Sequence, residues 1–323
     1  MLKKVVSCST LKKKRKGELN MSAVLYCSKL NLTSDHIFDV YQNEELLYKI
    51  LNILLGDICP DVTYEKDDSF LNEDGCLISR SIRYKLSIRE KTDTFVDGYL
   101  CKDSEIYYKT FNEDTKELVK HSMPYTEAVR FYFDVYKETI VFHTANRLGY
   151  QEFNEAMTGV LNKILETQKR EFRFEVVLRT EGLNITQIEK ELRKINNIYE
   201  LQFKFQPPNP DSDTLKRMQE NGENFINTME DANATKVSMV FSSKGGKGLN
   251  LDSDMIVKNL ENIQGMNYVT GDGVAVSKGY VSVEAVDAHG KKYTTADSKP
   301  IKTVINSLDH FVKECKRVIA SLG

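Results

Sequence analysis

The sequence contains no tryptophan, only 6 prolines among its 323 residues, and no long uninterrupted apolar run. Scarce proline and 17 glycines exclude a collagen-like or low-complexity chain, and 41% hydrophobic residues exclude a disordered one. The densest apolar segment, Leu46 to Leu55, is interrupted by Tyr48, Lys49 and Asn52. It is shorter than the roughly 18 residues that a helix needs to span a bilayer. We therefore expect a soluble globular protein without membrane insertion.

Paired cysteines are also missing. The 6 cysteines lie at positions 8, 27, 59, 76, 101 and 315, and no two of them form a C-x-x-C pair. None is at metal-ligand spacing from a histidine, so the sequence predicts no metal site and no cofactor. The first residues lack the apolar segment of a secretory signal. Because free thiols are typical of a reducing compartment, we expect a cytoplasmic protein.

What the chain does contain is the periodicity of an α+β (mixed α/β) fold. We assign residues 1–20 to a basic flexible arm and residues 21–145 to a strand-rich antiparallel domain. Ser22–Leu32 is typical of a first strand, and Asn43 is placed to cap a helix that ends near Leu55. The next strands are predicted at Ile78–Arg89, Phe95–Leu100, Glu105–Phe111 and Ala128–Phe142, with breaks at Asp97-Gly98, Asn112–Asp114 and Met123-Pro124.

Residues 146–323 alternate helices and strands, and we assign them to a second domain. Strands at Phe172–Leu178 and Leu201–Phe205 flank a helix near Thr186, which favours a βαβ-type unit; a ferredoxin-like mixed sheet fits the same pattern. A further helix is expected to begin at Ser212 or Asp213. The chain is predicted to end in a long amphipathic helix from Pro300 to Leu322, because its apolar residues recur every three or four positions.

Charge is distributed unevenly along the chain. The formal net charge is −2, yet residues 1–20 contain seven cations and a single acid. Five of these cations are consecutive: Lys12, Lys13, Lys14, Arg15 and Lys16. A basic arm on an acidic body is suited to nucleic acid or an anionic surface. The alternative is a solvated tail that binds nothing.

A second group of cations lies on the strand Ile78–Arg89. Arg83, Lys85 and Arg89 share one parity, opposite to that of Ile82, Tyr84 and Leu86. Residues two apart on a strand lie about 6–7 Å apart on one face. Such a row is matched to a phosphate backbone. The alternative is the solvated face of an antiparallel sheet, with acid partners such as Asp103 or Glu105 on the neighbouring strand.

A glycine-rich loop, Ser243–Gly248, follows a predicted strand and precedes a predicted helix. A phosphate-binding loop has this context, but it ends in Lys followed by Ser or Thr. Here Gly248 is followed by Leu249 and Asn250, which argues against a nucleotide hydrolase. We expect an exposed cationic loop in which Lys244 and Lys247 contact phosphate.

Catalytic patterns are weak. None of the five histidines belongs to a metal-binding motif, and only His143 is placed like a general base, with a satisfied strand-end histidine as the alternative. Glu284 and Asp287 precede two lysines as in metal-dependent nucleases, but the acid-x-lysine spacing is absent. We therefore favour a non-enzymatic protein and name no catalytic residue, while a catalytic site scattered along the sequence stays open.

Three stretches carry a resemblance: Asn146–Asn154, Phe205–Asp211, and Gly279–Ala285 with Lys299-Pro300. They resemble uncharacterised bacterial proteins from mobile-element and phage-defence neighbourhoods. Between about residues 76 and 320, the layout is also similar to that of the DNA-binding phage-exclusion protein of lambda-type prophages. The resemblance implies a role in antiviral defence through sensing or binding.

These observations lead to one expectation and two alternatives. We expect a bacterial defence-type sensor or binding protein that contacts nucleic acid, DNA rather than RNA, as a homo-oligomer. A protein partner from the same operon is also expected. The alternatives are a structural or regulatory subunit of a multi-protein phage-defence complex without nucleic-acid binding, and a nuclease whose site the sequence does not reveal.

Overall fold

The computed structural model describes residues 22–71, 77–182, 185–195, 197–209, 226–244, 246–266, 268–269, 275–277 and 279–322. The predicted arm, with Lys12, Lys13, Lys14, Arg15 and Lys16, lies outside the described residues, as does the predicted start of a helix near Ser212. The fold is the α+β class that the sequence predicts, with an antiparallel strand-rich first half and a helix near the C-terminus. Among the described residues, no helix combines the length and apolar character that a bilayer crossing requires.

The strands and helices follow in chain order. The strands are β1 (Ala23–Leu32), β2 (Thr63–Leu71), β3 (Leu77–Lys91), β4 (Phe95–Asn112), β5 (Glu117–Asp134), β6 (Thr139–His143), β7 (Phe174–Leu178), β8 (Thr180–Gly182), β9 (Ile198–Phe205), β10 (Val237–Ser242), β11 (Tyr268–Val269), β12 (Ala275–Ser277), β13 (Val281–Asp287), β14 (Lys292–Thr294) and β15 (Lys302–Ile305). The helices are α1 (His36–Gln42), α2 (Glu45–Asp57), α3 (Tyr150–Thr167), α4 (Ile185–Arg193), α5 (described at 226–231), α6 (Asp254–Met266) and α7 (Phe311–Ser321).

The main sheet has eight strands in the order β15-β1-β6-β5-β4-β3-β2, and β7 also pairs with β1. Along one edge of β1, residues 23–26 pair with β15 and residues 28–32 pair with β7. The other edge of β1 pairs with β6. The sheet therefore combines strands from both sides of the boundary predicted at residues 145/146, and that boundary stays a prediction.

One face of this sheet, here called the inner face, packs against α2 and α3. It presents alternate residues of the strands, such as Tyr84, Val129 and Phe131, to a continuous core. Phe142 of β6 stacks on Phe153 of α3 with ring centroids 3.8 Å apart. Full burial of one such side chain contributes about 1.5–3 kcal/mol. Because alternation leaves the intervening residues on the opposite side, the second face is free for other contacts.

That second face, here called the outer face, is covered in part by α7. A separate apolar cluster joins the outer side of β1, β4, β5, β6 and β15 to this helix. Its buried members are Leu25, Cys27, Phe95, Tyr132, Val141, Ile305, Phe311, Cys315, Val318 and Ile319.

Two smaller sheets complete the fold. One has the order β10-β9-β13-β14, and the other has the order β11-β12-β8. Leu201, Phe203 and Phe205 of β9 pack into the core that also holds α4 and α6. Every described strand pair is antiparallel, and β7 and β9 lie in different sheets. The βαβ-type unit is therefore not formed.

The structure also corrects three local predictions. The breaks predicted near Asp97-Gly98 and at Met123-Pro124 are absent, because β4 and β5 form one unbroken hairpin of two 18-residue strands. The stretch Ala128–Phe142 contains a turn between β5 and β6. The helix predicted from Pro300 begins only at Phe311, since Lys302–Ile305 is the strand that completes the edge of β1.

Candidate nucleic-acid interface

The cation row on β3 lies on the outer face of the main sheet. Ile82, Tyr84 and Leu86 are buried on the inner face, whereas Arg83, Lys85 and Arg89 are exposed on the opposite side. Among the described residues, the apolar cluster beneath α7 includes no residue of β3. The strand therefore presents all three cations to solvent.

Two acids of the neighbouring strands accompany the first part of this row. Lys85 Nζ lies 3.1 Å from Asp103 Oδ2, and Arg83 is directly opposite Asp103 and Glu65 in the strand register. Asp103 also accepts a hydrogen bond of 2.6 Å from the Thr126 hydroxyl. This hydrogen bond, with the nearby Lys85 and Arg83, lowers the pKa of the Asp103 carboxyl below its ordinary value. The positive charge of Arg83 and Lys85 is thus partly neutralised by neighbouring acids.

A buried carboxylate connects the other end of the row to the interior strands. Arg130 of β5 binds Asp97 of β4 with two hydrogen bonds, from Nε at 3.1 Å and from Nη2 at 3.0 Å. Arg89 Nη1 lies 3.7 Å from the same carboxylate. Asp97 is almost fully buried, whereas half of the Arg89 side chain is exposed. Asp97 therefore fixes two guanidinium groups side by side.

Helix α7 adds a pocket of about 440 Å³ next to this pair, lined by Arg130, Asp309, His310, Phe311, Val312, Lys313 and Lys316. The Arg130 guanidinium lies over the Phe311 ring, 4.5 Å from its centroid. Lys316 Nζ lies 4.6 Å from the centroid of the Phe95 ring. The aromatic faces orient both cations, since a cation above a ring is attracted by the ring quadrupole.

These residues form what we call the cationic strip: Arg83, Lys85, Arg89, Arg130, Lys313 and Lys316. Sequence patterns alone did not indicate Arg130, Lys313 or Lys316. Arg130 stands between Val129 and Phe131 in an apolar stretch, a position that signals a paired charge inside a sheet. The lysines are three residues apart and share a helix face, but only the packing of α7 on the sheet brings them to Arg130.

The glycine-rich loop lies elsewhere, at the end of the four-stranded sheet. Lys244 and Lys247 are exposed. The loop is fastened to β9 at both ends, because Ser243 donates its N–H to Tyr199 O and Leu249 donates its N–H to Ile198 O, both at 2.8 Å. Within the described residues its hydrogen bonds are to this sheet, so the loop is a separate cationic feature and not an extension of the strip.

The residues weighed for catalysis have structural partners. His143 Nε2 accepts the backbone N–H of Arg130 at 3.3 Å, and His143 Nδ1 donates to Thr144 O at 3.1 Å, so both ring nitrogens are occupied. Glu284 pairs with Lys204. Asp287 accepts the N–H groups of His289 and Lys291 in a turn, and these bonds lower its pKa. In the part of the chain that the structure describes, no cluster of His, Cys, Asp or Glu is suited to a metal ion.

Fold and site define an antiparallel α+β protein with a cationic strip on the outer face of its main sheet. The chain belongs to the DUF4747 family, whose model is described as a domain of unknown function and matches residues 65–314. This match covers β3, β5 and most of the candidate site. No curated protein and no solved structure matches the chain.

Proposed function

We propose that this protein is a non-enzymatic binding protein that contacts nucleic acid through the cationic strip. The observation that carries the proposal is the convergence of six cations from β3, β5 and α7 on one face of one sheet. Phosphate groups recur along a nucleic-acid backbone, so a row of cations several ångströms apart is able to contact successive phosphates.

Two acids near the strip compete with phosphate for its cations to different degrees. Asp97 is buried and serves to orient Arg89 and Arg130, so it competes little with an incoming phosphate. Asp103 is only partly buried and holds Lys85, so Lys85 must exchange one anionic partner for another. We therefore expect moderate, strongly salt-dependent affinity, with the larger contribution from the Arg130 end.

The wider role is part of the same proposal. The sequence resemblance supports a bacterial phage-defence protein that binds DNA rather than RNA, and the unpaired cysteines support a cytoplasmic location. We further propose a homo-oligomer, because two copies double the number of phosphate contacts that an acidic body offers. Lys244, Lys247 and the arm residues Lys12–Lys16 are additional candidate contacts.

A binding titration tests this proposal. Fluorescently labelled single-stranded DNA, duplex DNA and RNA are titrated with the full chain over a range of salt concentrations. The log–log salt slope for duplex DNA steepens by roughly 0.9 for each phosphate that is neutralised. A triple variant, Arg83→Ala/Lys85→Ala/Arg89→Ala, and a double variant, Lys313→Ala/Lys316→Ala, are both expected to weaken binding and flatten the slope.

The matched control is Lys190→Ala/Lys194→Ala, which removes one exposed cation from α4 and one directly after it. It is expected to leave affinity and salt slope unchanged. A chain that starts at Met21 separates the arm from the folded body. Binding that is lost with the arm, or that survives in both strip variants, contradicts the proposal.

The β4–β5 hairpin favours a second candidate function, docking of a protein partner. Beyond Asp103, where the pairing with β3 stops, β4 and β5 continue together as a two-stranded ribbon to a turn near Lys116. The ribbon exposes large apolar side chains: Tyr107, Tyr108, Phe111, Leu118 and Met123. Isolated two-stranded ribbons are marginal in water, and exposed apolar patches mark interaction sites.

Co-expression with the neighbouring genes tests this second candidate. The expected result is a product of the same operon that co-purifies at fixed stoichiometry and is lost from Phe111→Ser/Leu118→Ser. The same variant is expected to retain nucleic-acid binding by the strip. Retention of the partner by this variant contradicts docking on the ribbon.

A further inference from the structure

A cleft lies between the main sheet and the four-stranded sheet, on the side away from the cationic strip. Its volume is about 690 Å³, which is within the range of small-molecule sites. Its lining comes from the first turns of α3, from β7, from the polar face of β9 and β13, and from the segment Thr295–Ser298. All three sequence stretches that carry the resemblance contribute to this lining.

The walls of the cleft carry opposite charges. Lys204 and Lys236 come from the side of the four-stranded sheet, whereas Glu155 and Glu175 come from α3 and β7. Lys204 pairs with Glu284 on the adjacent strand, and Glu155 binds Lys66 at 2.7 Å. The cleft therefore has lysines on one side and glutamates on the other, and the partners of Lys204 and Glu155 lie outside its lining.

Side-chain amides line the space between these walls. Gln206 Nε2 donates to Glu175 Oε2 at 2.9 Å and joins the two sheets across the cleft. The buried Asn154 accepts a 2.6 Å hydrogen bond from the Ser28 hydroxyl, which fixes its amide. Together with Gln151, these groups present both donors and acceptors, the combination that matches the edge of a nucleobase.

Apolar groups form the remaining surface. Tyr150, Val176 and Val177 line the cleft from α3 and β7. Gly279, with φ +86°, brings the β13 side directly onto β7, since a Cβ there would lie only 2.3 Å from Val177 Cγ1. This close approach joins the start of the β13 segment to β7, and the apolar side chains beside it offer a ring a surface on which to pack.

We propose that the cleft binds a nucleoside monophosphate. The phosphate lies at Lys204 and Lys236, the ribose hydroxyls donate to Glu155 or Glu175, and the base edge pairs with the amides between them. A free amino acid would also satisfy opposite charges, but it has no base to meet the amides that line the same cleft. The proposal is independent of nucleic-acid binding by the strip, because the two sites share no residue.

Isothermal titration calorimetry of the full chain with AMP, GMP, CMP and UMP tests this inference. Adenosine and ribose 5-phosphate serve as half-ligands. At least one nucleotide is expected to bind at least tenfold more tightly than either half. Lys236→Glu reverses an exposed charge in the cationic wall, and Ser282→Trp fills the cleft; each is expected to weaken binding at least tenfold.

Lys292→Glu, on exposed β14 of the same sheet and outside the cleft, is the matched control and is expected to bind normally. Far-UV circular dichroism shows that Ser282→Trp folds, and its duplex DNA binding, measured in parallel, is expected to be unchanged. The absence of binding by all four nucleotides at millimolar concentration, or equal binding by Ser282→Trp, overturns the proposal. Preference for free amino acids would overturn it as well.

Discussion

Lys29 and Glu138 form an ion pair inside the protein, with Nζ and Oε2 2.6 Å apart and both side chains almost fully buried. Asn209 completes the arrangement, because its amide donates to Glu138 and to Leu30 O and its Oδ1 accepts the N–H of Leu32. The pair thus fastens β1, the β5–β6 turn and the segment after β9 to one another. A buried pair of this kind is costly to break, since the remaining charge has no water to replace its partner.

Lys29→Met is therefore expected to destabilise the protein by about 3–5 kcal/mol, because it leaves Glu138 uncompensated. The double variant Lys29→Met/Glu138→Leu is expected to recover part of that loss. Unfolding in urea, followed by circular dichroism, measures both values. As a control, Lys163→Met breaks the exposed pair with Glu166 and is expected to cost less than about 1 kcal/mol. Equal costs at the two sites would contradict the buried network.

Arg130 is expected to matter for stability as well as for binding. Arg130→Leu leaves the buried Asp97 carboxylate with only the more distant Arg89, so we expect a loss of about 3–5 kcal/mol. The double variant with Asp97→Asn is expected to be more stable than Arg130→Leu alone. Thermal unfolding measures the relative stabilities of the two variants. Lys194→Leu, which breaks the exposed pair with Glu191, is the control and is expected to be nearly neutral.

Two thiols are expected to resist alkylation in the folded protein. Burial raises the pKa of Cys27 to about 12, from an ordinary value of 9.0, and burial also raises the pKa of Cys315. The Cys27 thiol ionises near pH 9 in the unfolded chain but only near pH 12 in the folded protein. Its contribution to the free energy of unfolding is therefore fully present below pH 9 and is lost as the pH rises toward 12.

Iodoacetamide at mildly alkaline pH, followed by peptide mass spectrometry, measures this protection. Cys27 and Cys315 are expected to be labelled only in urea, whereas the partly exposed Cys59 is labelled in the native state. Prompt native labelling of Cys27 would show that the outer apolar cluster opens readily. In Cys27→Ala, the fall of stability above pH 9 is expected to be shallower.

The stability of two variants in β15 distinguishes a strand from a helix at this segment. Ile305 is 3% exposed and packs in the outer cluster, whereas its neighbour Val304 is 63% exposed. Ile305→Ala is therefore expected to cost about 2–5 kcal/mol. Val304→Ala is expected to change stability by about 0.5 kcal/mol or less. Denaturant unfolding compares the two variants, and similar large costs would favour the helical packing that the sequence predicts.

The sequence was informative where structure depends on neighbours along the chain. The alternation around Arg83 and Lys85 has a period of two, so it predicts which side chains share a face without knowledge of other strands. The apolar stripe near the C-terminus likewise predicts α7, because apolar residues recur there every three or four positions.

The sequence-based predictions are wrong or incomplete where the structure depends on residues that are far apart in the chain. Ile301, Val304 and Ile305 satisfy a helical spacing, but they are β-branched and the edge of β1 is open to them, so pairing with β1 determines the outcome. The α7 side of the candidate site was missed for the same reason. Nothing near Lys313 and Lys316 in sequence indicates that Arg130 lies beside them.

The pairing of Ala23 with Ile305 also determines the order in which the protein is able to assemble. The strand at one end of the described chain obtains part of its edge from a strand near the other end, so ribosomal synthesis produces β1 long before β15. During that interval the outer side chains Leu25 and Cys27 have neither β15 nor α7 to cover them. Contacts between such distant residues form slowly, and exposed edges promote aggregation while they form. The nascent chain is therefore expected to need chaperone protection until its final strand and helix emerge.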